Sequence, residues 1–179
     1  RGRAYFTTNG GASWLPATRE TFTSYAFADR QTGWAVDNAR ILHTSDGGKN
    51  WVSQVDASSQ SLRVGRFINA DEGWVGGEEG ILLHTADGGG GWNTQREPGG
   101  ADLLALHWAT SGKSFGWTLD SSGTLQFTGD GEAWEPIANQ ATTPRSQRLT
   151  AGYMRGFGEA WAVGSRGAVL HNADGGADW

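Results

Sequence analysis

Polar and apolar residues alternate along this chain in short runs, each closed by glycine or by an Asp-Gly pair. Successive side chains of a β-strand point to opposite faces, so short alternating runs between turn residues read as half-buried strands. One stretch shows the pattern clearly, with runs at about Leu62–Ile68, Gly73–Gly77, Gly80–Thr85 and Gly91–Gln95. No stretch carries the 3.6-residue spacing of an amphipathic helix. The pattern predicts an all-β chain with four strands to a unit.

The unit repeats. Five segments carry one turn: Thr7–Trp14, Thr44–Trp51, Thr85–Trp92, Thr128–Trp134 and Asn172–Trp179, whose closing tryptophans are 37, 41, 42 and 45 residues apart. A second landmark keeps step with it, at Gly33-Trp34-Ala35-Val36, Gly73-Trp74-Val75-Gly76, Gly116-Trp117-Thr118-Leu119 and Ala160-Trp161-Ala162-Val163. Nine of the ten tryptophans fall on these landmarks, leaving Trp108 outside them. Four short strands in about 40 residues make one propeller blade, which hides its edges by radial packing against its neighbours. The turn has a mechanical reading. Asp46, Asp87, Asp130 and Asp174, with Asn9 in the first copy, can accept backbone N–H groups further round the bend, while glycines supply positive φ.

Composition narrows the class without changing it. The 29 glycines have no triplet period and the aromatics are numerous, which excludes collagen and disorder. A net charge of −5 without clustered Lys and Arg excludes a nucleic-acid footprint. No apolar run approaches the roughly 18–20 residues of a membrane helix. The absence of cysteine removes disulfides and thiolate metal sites.

These turns match the Asp-box, Ser/Thr-x-Asp-x-Gly-x-x-Trp, of sialidases, sortilin-type receptors and several glycosidases. The longer form, Gly-Trp-Ala-Val followed by Ile-Leu-His-Thr-x-Asp-Gly-Gly-x-x-Trp, resembles the photosystem II stability/assembly factor-like propellers over essentially the whole chain. That resemblance implies a seven-bladed β-propeller in the thylakoid lumen or periplasm. It also implies a non-enzymatic assembly factor or scaffold that holds a membrane-complex subunit through arginines on the propeller face, with no cofactor. Three features depart from the pattern: the short fourth box, Asn172 in place of Thr, and a longer first turn around Ser111-Gly112-Lys113.

Catalysis and metal binding are weaker readings of the same residues. His43, His84 and His171 share one repeat position, but Phe6 and Phe127 occupy it elsewhere, so it asks for a flat packing surface rather than a lone pair. The Asp-Gly-Gly turns lack the alternating oxygen ligands and distal Glu of an EF-hand. Gly88-Gly89-Gly90-Gly91 is followed by no Lys-Ser/Thr of a phosphate loop. Glycoside hydrolysis needs two carboxylates facing each other about 5–9.5 Å apart, whereas Glu78 and Glu79 are neighbours in one loop. A carbohydrate-binding or glycosidase/sialidase-like propeller is the competing reading. Its stacking tryptophans would have to come from outside the repeat landmarks, where only Trp108 stands.

Because the boxes join third to fourth strands, the opposite rim carries the second-to-third-strand turns and the inter-blade loops. The expected partner-binding residues there are Arg40, Glu78, Glu79, Arg145, Arg148 and Arg166, with Arg63 and Arg66 approaching the channel from first strands. Arginine on such a surface suits carboxylate or carbonyl groups of a protein partner. The expected organisation is a single propeller domain or fragment. It has a partial blade at 1–18, blades at about 19–57, 58–98 and 99–140, and a partial blade at 141–179. Seven blades at this spacing need about 290 residues. An open arc cut from a longer ring is therefore expected.

Overall fold

In the computed structural model, which describes residues 2–7, 9–55, 61–108, 115–122, 124–136, 149–154 and 159–173, the chain runs through successive antiparallel sheets whose strands follow sequence order. Strands β1 (Gly2–Phe6) and β2 (Leu15–Phe22) form a two-stranded sheet. A four-stranded sheet follows, with β3 (Ser24–Phe27), β4 (Gly33–Asp37), β5 (Arg40–Thr44) and β6 (Val52–Val55). The next contains β7 (Leu62–Phe67), β8 (Gly73–Gly77), β9 (Leu82–Thr85) and β10 (Asn93–Arg96). The same order recurs in β11 (Leu103–Trp108), β12 (Gly116–Asp120), β13 (Leu125–Thr128) and β14 (Glu135–Pro136). Strands β15 (Leu149–Met154), β16 (Ala160–Gly164) and β17 (Val169–Asn172) form a three-stranded sheet. The helical geometry among the described residues is confined to two three-residue 3₁₀ turns, Glu78–Gly80 and Ser165–Gly167.

One strand is longer than its sequence suggests. A fourth strand is expected near Trp14–Ala17, but β2 continues to Phe22 and its register on β1 runs from Phe6↔Leu15 to Gly2↔Phe22 across a bulge. Phe22 is the reason the strand keeps going. It is buried with Ala35, Leu42 and Trp51, the place that Leu62 and Leu103 take at the start of their own sheets.

Contacts divide the chain into two compact units, Arg1–Val75 with Leu82–Thr94, and Gly76–Ile81 with Gln95–Trp179. In the first unit Trp34 of β4 stacks on Phe67 of β7 with ring centroids 3.8 Å apart, so the tryptophan landmark is the joint between sheets. In the second unit Trp117, Leu119 and Leu125 close over Leu149 and Ala162 in the same manner. Burying rings of this size supplies most of what such thin sheets can gain from water exclusion.

The glycine before Trp34, Trp74 and Trp117 has a steric cause. A Cβ on Gly33 would lie 2.6 Å from the Phe27 ring, one on Gly116 would lie 2.7 Å from Trp108, and one on Gly73 would strike Phe67. The aromatic at the end of β3, β7 and β11 lies across a bare backbone. This corrects the reading of Trp108 as the tryptophan outside the repeat and available to stack on a sugar. It is 1 % exposed, sits edge-on to Trp134 at 5.4 Å, and fills the position of Phe27 and Phe67. The size of its ring hid the equivalence.

Candidate functional site

The two ends of each sheet are built differently, and the difference locates the surface available for binding. At one end lie the boxes. In Thr44–Trp51 the Thr44 hydroxyl donates to Asp46 Oδ1 (2.9 Å) and accepts from the Gly48 amide (2.9 Å). Asp46 Oδ1 accepts from the amides of Lys49 and Asn50, and its Oδ2 from the Asn50 side chain at 2.7 Å. These donors, the Asn50 amide first and its side chain second, hold the Asp46 carboxyl down at about 2. Asp87 is lowered chiefly by the Gly91 amide, and Asp130 by the amides of Glu132 and Ala133. The box at Thr128, shorter by one residue, still closes because Gly131 replaces the later glycine as donor to the Thr hydroxyl, at 2.8 Å. Asn9 makes the same turn uncharged, accepting from Thr7 Oγ1 and the Ser13 amide at 2.9 Å each. Asp174 lies outside the described residues.

In each described box the Oδ1 atom of the Asp or Asn accepts from its own turn, and box carbonyls accept from side chains of neighbouring strands. Gly88 carbonyl accepts from Gln54 Nε2 (2.8 Å) and from Trp34 Nε1 (3.3 Å), and Gly131 carbonyl accepts from Gln95 Nε2 (2.7 Å). The box end is therefore a structural seam. Among the described residues no group of three or more His, Asp or Glu is placed to hold a metal ion.

The opposite end carries turns with left-handed residues pointing outward. Glu79 (φ 54°) with Gly80, and Arg166 (φ 58°) with Gly167, form matching tight turns in which the Ile81 and Ala168 amides donate back to Glu78 and Ser165. Positive φ at both central positions is the type I′ hairpin geometry, and it lifts the Glu79 and Arg166 side chains to the tip, where both are exposed. The loop after β10 grips the Glu79 turn. Amides of Gly99 and Gly100 donate to the Glu79 carbonyl (2.9 and 2.7 Å), and Asp102 accepts from the Glu79 amide at 3.1 Å.

In the first unit the equivalent turn is Asp37–Arg40, with Asn38 at φ 38°. Arg40 is ion-paired to Asp37 and half-buried. The Asn38 carbonyl accepts from the Leu62 amide, and this bridge brings the turn that carries Arg40 against the start of β7, which carries exposed Arg63. Beside it opens a cleft of about 210 Å³ lined by Thr21, Thr23, Asp37, Asn38 and Ala39. Arg66 is set differently, with its Nε buried and lacking a hydrogen-bond partner. Arg145 and Arg148 lie outside the described residues.

Three contributors escaped the sequence reading: Asp37, Asp120 and Arg96. Asp120 caps its turn through the amides of Ser122 and Thr124, and Arg96 is pushed down by burial while the nearby Asp120 charge counters this. The signal was present, since Asp37 and Asp120 both end the landmark strand three residues after its Trp.

The three repeat histidines pack on the landmark tryptophans, His84 and His171 stacked and His43 tilted by 45°. His43 lies against Trp34 (5.0 Å), His84 on Trp74 (4.6 Å) and His171 on Trp161 (4.8 Å). His84 additionally bonds Glu72 at 3.0 Å, and His171 lies 3.5 Å from Glu159. The matching pair in the sheet of β11–β14 is Phe115 on Phe127, rings 6.4 Å apart.

Residues 12–104 match the family described as photosynthesis system II assembly factor YCF48. The chain belongs to the Ycf48 family. A curated relative, the photosystem II assembly lipoprotein Ycf48 of Picosynechococcus, is 29% identical over 177 residues, covering 94% of this chain and 50% of that protein. The chain thus spans about half the length of the Ycf48 relative it matches. A solved Ycf48 bound to a D1 peptide superposes with a TM-score of 0.53 at 21% identity, over 82% of this chain and 63% of that one. The GH74 enzyme of Niastella koreensis superposes with a TM-score of 0.72 at 18% identity, over 99% of this chain and 28% of that one. At such identities the solved structures establish the all-β propeller fold that the Ycf48 match also carries.

Proposed function

We propose that this chain is a non-enzymatic scaffold that holds an extended segment of a photosystem II subunit, D1, on the lumenal or periplasmic side of the membrane during assembly. Membership of the Ycf48 family carries this reading. The asymmetry of the sheets supports it. At one end the box turns are bonded to neighbouring strands, while the other presents exposed turn tips and the Arg40–Arg63 corner beside a cleft. Arginine offers a planar fork of donors to peptide carbonyls and carboxylates, so such a corner recognises backbone and chain-end chemistry without performing a reaction. Among the described residues no helix is long and apolar enough to cross a bilayer.

An array of overlapping peptides covering D1, probed with the full-length protein, tests it. One or a few contiguous peptides should bind, with affinity falling as salt rises. Arg63→Glu should weaken that binding by about tenfold or more, the loss of roughly one charge-assisted hydrogen bond of 1.5–3 kcal/mol. No binding to any D1 peptide, or binding indifferent to both salt and Arg63→Glu, would overturn the proposal.

A further inference from the structure

The first box differs from the other described boxes in one atom set: Asn9 stands where Asp46, Asp87 and Asp130 stand, and glycine follows in every case. Asparagine followed by glycine is the pair most open to intramolecular attack, because glycine puts no side chain in the path of the approaching amide nitrogen. Both residues are exposed, and a Cβ built on Gly10 would meet nothing within 4 Å. We propose that Asn9-Gly10 is a self-modification site, at which spontaneous deamidation converts the uncharged box into the aspartate form.

The chemistry needs only water. The Gly10 backbone nitrogen gives up its proton and bonds to Asn9 Cγ, and the Cγ–Nδ2 bond breaks as ammonia leaves, closing a five-membered succinimide. Water then opens the ring. Opening at Cγ returns the ordinary backbone with aspartate at position 9. Opening at the Asn9 main-chain carbonyl gives isoaspartate, with the chain rerouted through Cβ and Cγ.

The surroundings already suit the aspartate product. Thr7 Oγ1 and the Ser13 amide point at Oδ1 as Thr44 and Asn50 do at Asp46, and the Ser13 hydroxyl that now accepts from Asn9 Nδ2 (2.8 Å) can turn and donate to a carboxylate oxygen instead. The isoaspartate product lengthens the loop by a methylene and cannot keep Thr7 and Ser13 on the same oxygen. The same three bonds hold the Asn9 side chain in place while the box is closed, so attack occurs when the turn opens, and its rate reports that opening.

Full-length protein aged at mildly alkaline pH, followed by isoelectric focusing and peptide mapping, tests this. An acidic species with one added negative charge should accumulate, and the modified residue should be Asn9, as aspartate and isoaspartate. Asn38, Asn69 and Asn93, which are followed by Ala, Ala and Thr, serve as internal controls and should stay amidated. Thr7→Val removes one restraint on Asn9 and should speed the conversion, whereas Asn9→Asp should abolish the acidic shift. Retention of the Asn9 amide while protein elsewhere converts, or a Thr7→Val rate equal to that of the parent, would overturn the proposal.

Discussion

At the scale of the residue, the box carboxylate and the landmark glycine each do one physical job. Asp46 gathers the amide and side-chain donors that close the turn. Asp46→Ala should lower the melting temperature by several degrees in differential scanning fluorimetry, because the Lys49 and Asn50 amides lose their acceptor. Asp46→Asn should cost less, as Asn9 already shows that an amide oxygen can fill the place. Gly116 is needed for space. Gly116→Ala drives a methyl into the Trp108 ring and should destabilise by about 1–3 kcal/mol in chemical denaturation, the usual range for overpacking. Gly129→Ala is the control, since nothing lies within 4 Å of its Cβ position and Ala86 holds the same place in the preceding box.

At the scale of the element, the sheets solve one packing problem with interchangeable pairs. Behind the landmark tryptophan of β8 lies Glu72 bonded to His84, side chains 7 % and 11 % exposed for His and Glu. Behind that of β12 lies Phe115 against Phe127. Removing one partner of the buried polar pair strands the other, so Glu72→Phe or His84→Phe alone should each cost about 1–3 kcal/mol. The double replacement should recover much of that loss, and a double-mutant cycle reads the coupling directly. A double mutant no more stable than the sum of the singles would show that the two sites are independent. The histidine position was legible in the sequence as a flat surface because Phe127 shares it. The glutamate was not, because it sits in a loop whose residues vary from sheet to sheet.

At the scale of the whole molecule, the repeated boxes make stability depend on acid in a predictable direction. Asp29, Asp46, Asp87 and Asp130 are all lowered by hydrogen bonds to backbone amides, those of Thr32 and Gln31 acting on Asp29. A depressed carboxyl stabilises the fold fully above its unfolded value of about 4 and loses that contribution as pH falls through its folded value, about 2 for Asp46. His43 acts in another window. Burial lowers it, so the unfolded chain binds its proton first and stability begins to decline as pH drops below about 6.5. Melting temperature against pH should therefore show a shallow loss below about 6.5 and a steep one below about 4. His43→Phe, which copies Phe127, should remove the shallow step alone.

The sequence by itself determined the strands, the turns and the place of the boxes between third and fourth strands. These are local matters: alternation sets which face a side chain takes, and an Asp with glycine beside it bends the chain whatever lies far away. Tertiary structure decided what each landmark touches. That Trp108 belongs with Phe27 and Phe67, and that β2 runs on to bury Phe22, follow from neighbouring sheets filling the same space with rings of different size. The rim followed the same division. Its turns, and the Asp37–Arg40 pair three residues apart within one of them, are local, but the burial of Arg66 Nε and the grip of Asp102 on Glu79 arise between segments distant in sequence, where no spacing along the chain records the distance.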